Sequence, residues 1–175
     1  MSTAAPRGRV IIYTGEGKGK TTAALGTAMR AVGHGMGAVV VQFVKARPCG
    51  EHAAAARLAP NLGLRLMGAG WVAGEATDAD RSAAAEALAE VRRLLSGDAV
   101  RMVVADEILT AVGLGLVPRD EVEALLSERP PEKHLVLTGR GAWPALVQRA
   151  DLVTEMRSVK HPHDRGEGPV AGIEY

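Results

Sequence analysis

The sequence has few aromatic residues, one Phe, two Tyr and two Trp in 175, and a single cysteine, Cys49. One cysteine excludes a disulfide framework and any zinc site built from several thiolates. No apolar run approaches the roughly 20 residues that span a bilayer, and Met1–Arg9 lacks the apolar stretch of a secretory leader. Charge of one sign is also missing. Lys and Arg number 21 against 20 Asp and Glu, for a net +1, which does not favour a general nucleic-acid or anionic-membrane surface. The hydrophobic share, 47%, is too high for disorder, and the length fits one domain able to bury its own core. The expectation is a cytoplasmic single-domain protein, with a flexible segment at 1–8 and one folded domain at 9–175.

Near-neutrality conceals a polarity. Residues 1–60 hold eight Lys or Arg against two acids, whereas residues 61–130 hold seven against twelve. Positive charge therefore concentrates in the first third, which reads either as scatter over solvated faces or as a localised site for a small polyanion.

Short apolar runs recur at 9–13, 38–44, 64–67, 100–105 and 134–138, with a weaker one at 152–156. Continuous rather than alternating hydrophobicity predicts strands buried on both faces. Helical patterns lie between them at 20–33, 78–95, 108–114 and 118–126. This alternation predicts an α/β fold, a mostly parallel sheet with helices on both faces. The segments 45–51 and 68–77 and the tail after Val159 read as irregular, and long loops of this kind are candidate binding edges.

The densest chemical signal is Thr14–Gly15–Glu16–Gly17–Lys18–Gly19–Lys20–Thr21–Thr22, between a predicted strand and a predicted helix. Glycines let backbone N–H groups turn toward phosphates, and the helix N-terminus adds its positive dipole end. Lys20 can reach the outer phosphates, Lys18 adds a second cation, and Thr21 can offer its hydroxyl to Mg²⁺. Thr14 stands where the usual phosphate-loop pattern has its first Gly. The matching acidic site is the strand end Asp106–Glu107, where a carboxylate holds Mg²⁺ directly or through water. A helix-capping acid would look the same. Hydrolysis, phosphoryl transfer and attack elsewhere on the nucleotide all use these parts, so the residues alone stop at a Mg-nucleotide site.

Over nearly its whole length the chain resembles the ATP:cob(I)alamin (corrinoid) adenosyltransferases of the cobalamin-synthesis type. The resemblance is carried by Tyr13–Ala24, with Thr14 at the unusual position, and by Arg30–Gly35, Val41–Lys45, Met67–Gly70 and Asp106–Glu107. Thr138–Gly141, Val159–Pro162 and Gly172–Tyr175 complete it. It implies a RecA-like phosphate-loop fold, usually homodimeric, that moves the 5′-deoxyadenosyl group of ATP to Co(I) of a corrinoid and releases triphosphate. Co(I) is then the nucleophile, and no Ser, Cys or His nucleophile is needed. Under this resemblance Thr14, Gly15, Gly17, Lys18, Gly19, Lys20, Thr21, Thr22 and Arg30 bind nucleotide. Lys20, Glu107 and Arg140 neutralise and position, while Thr21, Glu107 and Asp106 hold Mg²⁺. A flavoprotein reductant is a further implied partner.

On the corrinoid side the family commonly reads Gly–Thr–Gly–Phe–Thr–Trp, where this chain has Gly68–Ala69–Gly70–Trp71–Val72–Ala73. Gly70, Trp71 and Ala73 are thus the corrinoid candidates, with Trp71 the remaining aromatic and Ala73 in place of the second. That loss fits a preference for corrinoids lacking a lower nucleotide loop. A phosphate-loop ATPase switch and a corrinoid-binding carrier with weak catalysis are the alternatives. Among lesser features, Glu51 is a loose match to a nucleotide-side region. His161, His163 and Asp164 read as an exposed tail, Cys49 as a small inert residue, and Trp143 as packing.

Overall fold

The computed structural model describes residues 7–72 and 74–175. Six parallel strands form one sheet: β1 (Val10–Thr14), β2 (Ala38–Gln42), β3 (Leu62–Leu66), β4 (Met102–Asp106), β5 (His134–Thr138) and β6 (Leu152–Glu155). Their spatial order is β3-β2-β4-β5-β1-β6. This is the predicted α/β architecture, and β5 inserted between the loop-bearing β1 and the acidic β4 fits the RecA-like arrangement.

The helices are α1 (Lys20–Gly33), α2 (Gly50–Ala56), α3 (Asp78–Ser96), α4 (Ile108–Gly113), α5 (Arg119–Glu128) and α6 (Pro144–Arg149). Each face of the sheet has its own apolar layer. On one, Val39, Val41, Val103, Ala105, Leu135 and Leu137 pack with buried residues of α3, α4, α5 and α6. On the other, Ala38, Val40, Val104 and Val136 pack against Ala24, Ala28 and Ala31 of α1 and Ala55 of α2. Successive strand residues therefore point to opposite cores, which is why the central runs are apolar without alternation. The small side chains of α1 let its axis approach the sheet closely, holding its N-terminus over the end of β1.

Two segments differ from expectation. The irregular segment expected at 45–51 gives way at Gly50 to the helix Gly50–Ala56, and the tail contains a 3₁₀ turn at Pro162–Arg165. Residues 1–6 of the N-terminal segment lie outside the described residues. Gly8, assigned to that flexible segment, is buried, and its N–H donates to Pro131 O at 2.7 Å. A Cβ there would lie 1.9 Å from Lys133 O, so only glycine fits. Trp143 packs as expected: it is 7% exposed, its indole N–H donates to Glu123 Oε1, and the Arg119 guanidinium lies 5.3 Å from the ring centroid. Among the described residues no helix is long and apolar enough to cross a membrane.

Candidate functional site

The carboxyl ends of parallel strands are where an open α/β sheet presents its loops, and the main cleft lies there. It encloses about 1010 Å³ and draws on Lys18, Lys20, Thr21 and Thr22 after β1, Glu107 after β4 and Arg140 after β5. Lys45 and Glu51 close one side, and the C-terminal tail closes another.

Lys20 opens α1 and is 7% exposed. Its ammonium donates to Gly15 O at 2.8 Å and Gly17 O at 2.9 Å, which curls the loop around it. Burial pushes the Lys20 pKa below its ordinary value and Arg140 adds to the effect, against the opposing pull of Glu107, Glu16 and Asp106. Gly19 precedes the helix at φ +119°, a left-handed conformation that favours glycine.

The other loop glycines answer to a different neighbour. A Cβ on Gly15 would lie 2.4 Å from Met156 O, and one on Gly17 would lie 2.6 Å from the Arg157 carbonyl carbon. Gly17 N–H donates to Met156 O, and Met156 N–H donates to Thr14 O, both at 2.7 Å. The Gly17 amide, expected to face phosphate, is therefore turned toward the chain that follows β6. Thr14 is still strand, pairing with Glu155, and its hydroxyl accepts from Ala142 N–H at 3.4 Å.

Behind the loop sits a hydroxyl–carboxylate hub. Asp106 is fully buried, and burial pushes its pKa up, while the Thr138 hydrogen bond works in the opposite direction. Its Oδ1 accepts from the hydroxyls of Thr21 (2.9 Å) and Thr138 (2.7 Å), and its Oδ2 from Gln42 Nε2 (3.2 Å). Thr138 Oγ1 in turn accepts the Glu107 N–H at 2.8 Å. Glu107 has φ +62°, an uncommon conformation for a non-glycine residue, and such strain persists where surrounding bonds hold it. Thr110 completes the hub: its hydroxyl donates to Glu107 Oε2 and accepts from Arg140 N–H. Thr138 and Gln42 lie in the segments Thr138–Gly141 and Val41–Lys45 that carry the family resemblance, which gives neither a role, and Thr110 belongs to no motif.

Lys45 and Glu51 form an ion pair at the cleft wall. Burial penalises the Lys45 charge, yet Glu51 outweighs it and holds the ammonium above its ordinary pKa. Burial likewise opposes the Glu51 charge, and the Lys45 hydrogen bond more than offsets it, so that carboxyl lies below its usual range. Cys49 caps the start of α2.

Not every candidate joins the cleft. Arg30 is exposed in the last turn of α1, about 15 Å along the helix from Lys20 at the usual rise, and is not among the lining residues. Gly70 is anchored by donating its N–H to Val44 O at 3.0 Å, and has φ +115°. Trp71 is 69% exposed, so it adds nothing to the core, and it does not line the main cleft. Ala73 lies outside the described residues. His163 and Asp164 are exposed, as expected of the tail, and His161 is half-buried; all three also border the cleft. No group of His, Cys, Asp and Glu among the described residues has the arrangement of a metal cage.

The family described as ATP:corrinoid adenosyltransferase BtuR/CobO/CobP matches residues 6–175. The corrinoid adenosyltransferase of Escherichia coli strain K12 is 39% identical over 170 residues, covering 97% of this chain and 86% of the relative. Corrinoid adenosyltransferase CobA of Salmonella typhimurium strain LT2 matches with the same identity and coverage. A corrinoid adenosyltransferase of Pseudomonas aeruginosa strain PAO1 is 41% identical over 172 residues, 97% of this chain and 84% of the relative.

Proposed function

The chain belongs to the ATP:corrinoid adenosyltransferase BtuR/CobO/CobP family and is a corrinoid adenosyltransferase, and from this premise we propose how its residues divide the work. ATP lies with its triphosphate on the loop 14–22 and its ribose 5′ carbon toward a reduced corrinoid. Cobalt(I) attacks that carbon, the carbon–oxygen bond breaks, and the bonding pair leaves on triphosphate. The protein's task is to hold the two partners in line and to neutralise charge growing on the leaving group. The observation that carries this reading is the convergence of Lys18, Lys20, Thr21, Glu107 and Arg140 in one cleft.

Lys20, Lys18 and the amides at the start of α1 bind the triphosphate, and Arg140 meets it from β5. The donor set suits Mg²⁺: a threonine hydroxyl and a carboxylate at the cleft are hard oxygen ligands, and a buried carboxylate stands behind them. Thr21 and Glu107 would hold the ion, which when bound supplies positive charge to phosphate oxygens. Asp106 acts one step back, because its oxygens already accept from Thr21, Thr138 and Gln42. Thr22 lines the same mouth. The exposed Trp71, on a loop anchored beside β2, is the surface offered to the corrin ring, with Gly70 setting the turn. A homodimer, a flavoprotein reductant and a cytoplasmic setting belong to the same proposal.

The test follows the products. The protein is incubated with ATP, Mg²⁺ and chemically reduced corrinoid, and both the light-sensitive cobalt–carbon product and the released phosphates are measured. Triphosphate formed only with Co(I) corrinoid is the expected result, and it disappears in Lys20→Ala. ADP formed without corrinoid would overturn the assignment.

A further inference from the structure

The inference rests on the reading above, that this cleft discharges triphosphate. All three cations assigned to the triphosphate are satisfied by acceptors of the chain itself. Lys20 donates to the loop carbonyls of Gly15 and Gly17. Lys18 Nζ lies 3.6 Å from Glu174 Oε1, and Arg140 Nε lies 3.0 Å from Glu16 Oε2. A triphosphate that engages Lys18 and Arg140 must displace two carboxylates.

Glu174 is held in place rather than trailing from the terminus. Its side chain is 20% exposed, and its Oε2 accepts the Val170 N–H at 2.7 Å. Its own N–H donates to Val170 O, and Gly172 N–H donates to Tyr175 O, so 170–175 is a closed turn. This turn lies beside α2, where the Tyr175 carbonyl is 3.8 Å from the Cβ position of Gly50. The chain leading to it is bonded to the phosphate loop through Met156. Glu16 belongs to the loop itself.

The chemistry explains why such carboxylates are useful. When the 5′ carbon–oxygen bond breaks, triphosphate leaves with the bonding pair and carries one more negative charge than it had as an ester. A cradle matched to that charge speeds the step and, for the same reason, holds the product. After departure the cations would face one another unpaired, and like charges in one site are costly. We propose that Glu174 and Glu16 are release residues: they compete with triphosphate for Lys18 and Arg140, and so weaken the product complex. They are positioning residues, acting through the two cations.

The experiment compares the full-length wild type with Glu174→Gln, Glu16→Gln and the double variant. Gln keeps an oxygen for the Val170 N–H, so the turn is retained. Inorganic triphosphate binding, with Mg²⁺, is measured by calorimetry, and kcat is compared with the single-turnover rate. Each Gln is expected to tighten triphosphate about two- to fivefold, the scale of partly exposed ion pairs, with the two effects multiplying and shrinking at high salt. The kcat falls relative to the single-turnover rate, because release becomes slower, and Glu174→Asp restores it. A merely structural role would not tighten a ligand. Triphosphate affinity equal to or weaker than wild type in the variants, with wild-type turnover intact, overturns this inference alone. Failure of the wild type to form triphosphate from ATP and reduced corrinoid overturns the functional reading instead.

Discussion

Thr138→Val tests the hub behind the loop. Valine matches threonine in shape and removes only the hydroxyl, which donates to Asp106 Oδ1 at 2.7 Å and accepts the Glu107 N–H at 2.8 Å. Thr138 is fully buried, so no water replaces it. A buried N–H left without an acceptor costs about 1–3 kcal/mol, and a hydrogen bond to a charged group contributes about 1.5–3 kcal/mol. Both losses come from one atom and overlap, so a total near 3 kcal/mol is expected. For a domain of this size that lowers Tm by roughly 6–12 °C. The functional effect has a sign as well. The Thr138 bond opposes the rise that burial imposes on Asp106, so its loss raises that pKa further and weakens the carboxylate that fixes Thr21. The Mg-ATP concentration for half-maximal turnover therefore rises, most at the acid end of the pH profile. Calorimetric melting and Mg-ATP titrations at several pH values measure both effects, with Thr138→Ser as the control that keeps the hydroxyl. A Thr138→Val protein with wild-type Tm and unchanged Mg-ATP dependence would refute the hub.

Gly139→Ala puts a Cβ 2.5 Å from Thr110 N at φ +134°, and overpacking plus left-handed strain predicts a loss of about 2–4 kcal/mol with weaker ATP binding through Arg140; an unchanged melting curve would show that α4 yields freely. Asp151 accepts the Val10 N–H at 2.8 Å and pairs with Arg9, and these contacts depress its pKa. Its folded-state value lies below the unfolded one, so its contribution is present above the unfolded pKa and lost as pH falls through the folded pKa. Asp151→Asn should then cost about 0.5 kcal/mol near neutrality, the scale of screened surface pairs, with the gap to wild type closing below about pH 4 in denaturation curves; a gap independent of pH contradicts this. Ala73→Trp is expected to raise turnover several-fold on a complete corrinoid and less on one lacking the lower nucleotide loop. Equal effects on the two substrates would reject the reading of that loop.

The central strands are legible because burial on both faces leaves little choice but Val, Leu and Ala, and the two layers packed on β2, β4 and β5 bear this out. Boundaries suffer where that signal is interrupted. Gly63 breaks the run of β3, so the strand begins at Leu62 rather than Leu64. The helix α2 is seven residues with four alanines and a Cys at its N-cap, too short for a periodic stripe and without a typical capping residue. The hub is illegible for another reason. The pairing Ala105↔Leu137 brings Asp106 beside Thr138 across 32 residues, and only sheet register supplies that neighbour. The tail after Val159 is mostly exposed, as its composition suggests, but its place beside the cleft depends on long-range bonds between Met156 and the loop that composition does not reveal.

The anomalous first position of the phosphate loop joins these strands of argument. A glycine is needed there only if the backbone turns left-handed at that residue. Here β1 runs one residue further, and Thr14 keeps its strand pairing with Glu155 of β6. The turn falls on Gly15 at φ +96°. Thr14 can therefore bear a side chain, and its hydroxyl accepts the Ala142 N–H just beyond Arg140. Its carbonyl receives the Met156 N–H, at the root of the tail that carries Glu174. The Thr14 hydroxyl thus ties the phosphate loop to the segment of Arg140, while the carbonyl, which any residue would offer, ties it to the chain that leads to Glu174. The glycines after it serve the same tie, because a Cβ on Gly15 or Gly17 would strike the Met156–Arg157 backbone before it met any phosphate. Two backbone bonds thus join the loop to the root of the tail at Met156, and the Lys18–Glu174 pair joins it to the tail's end.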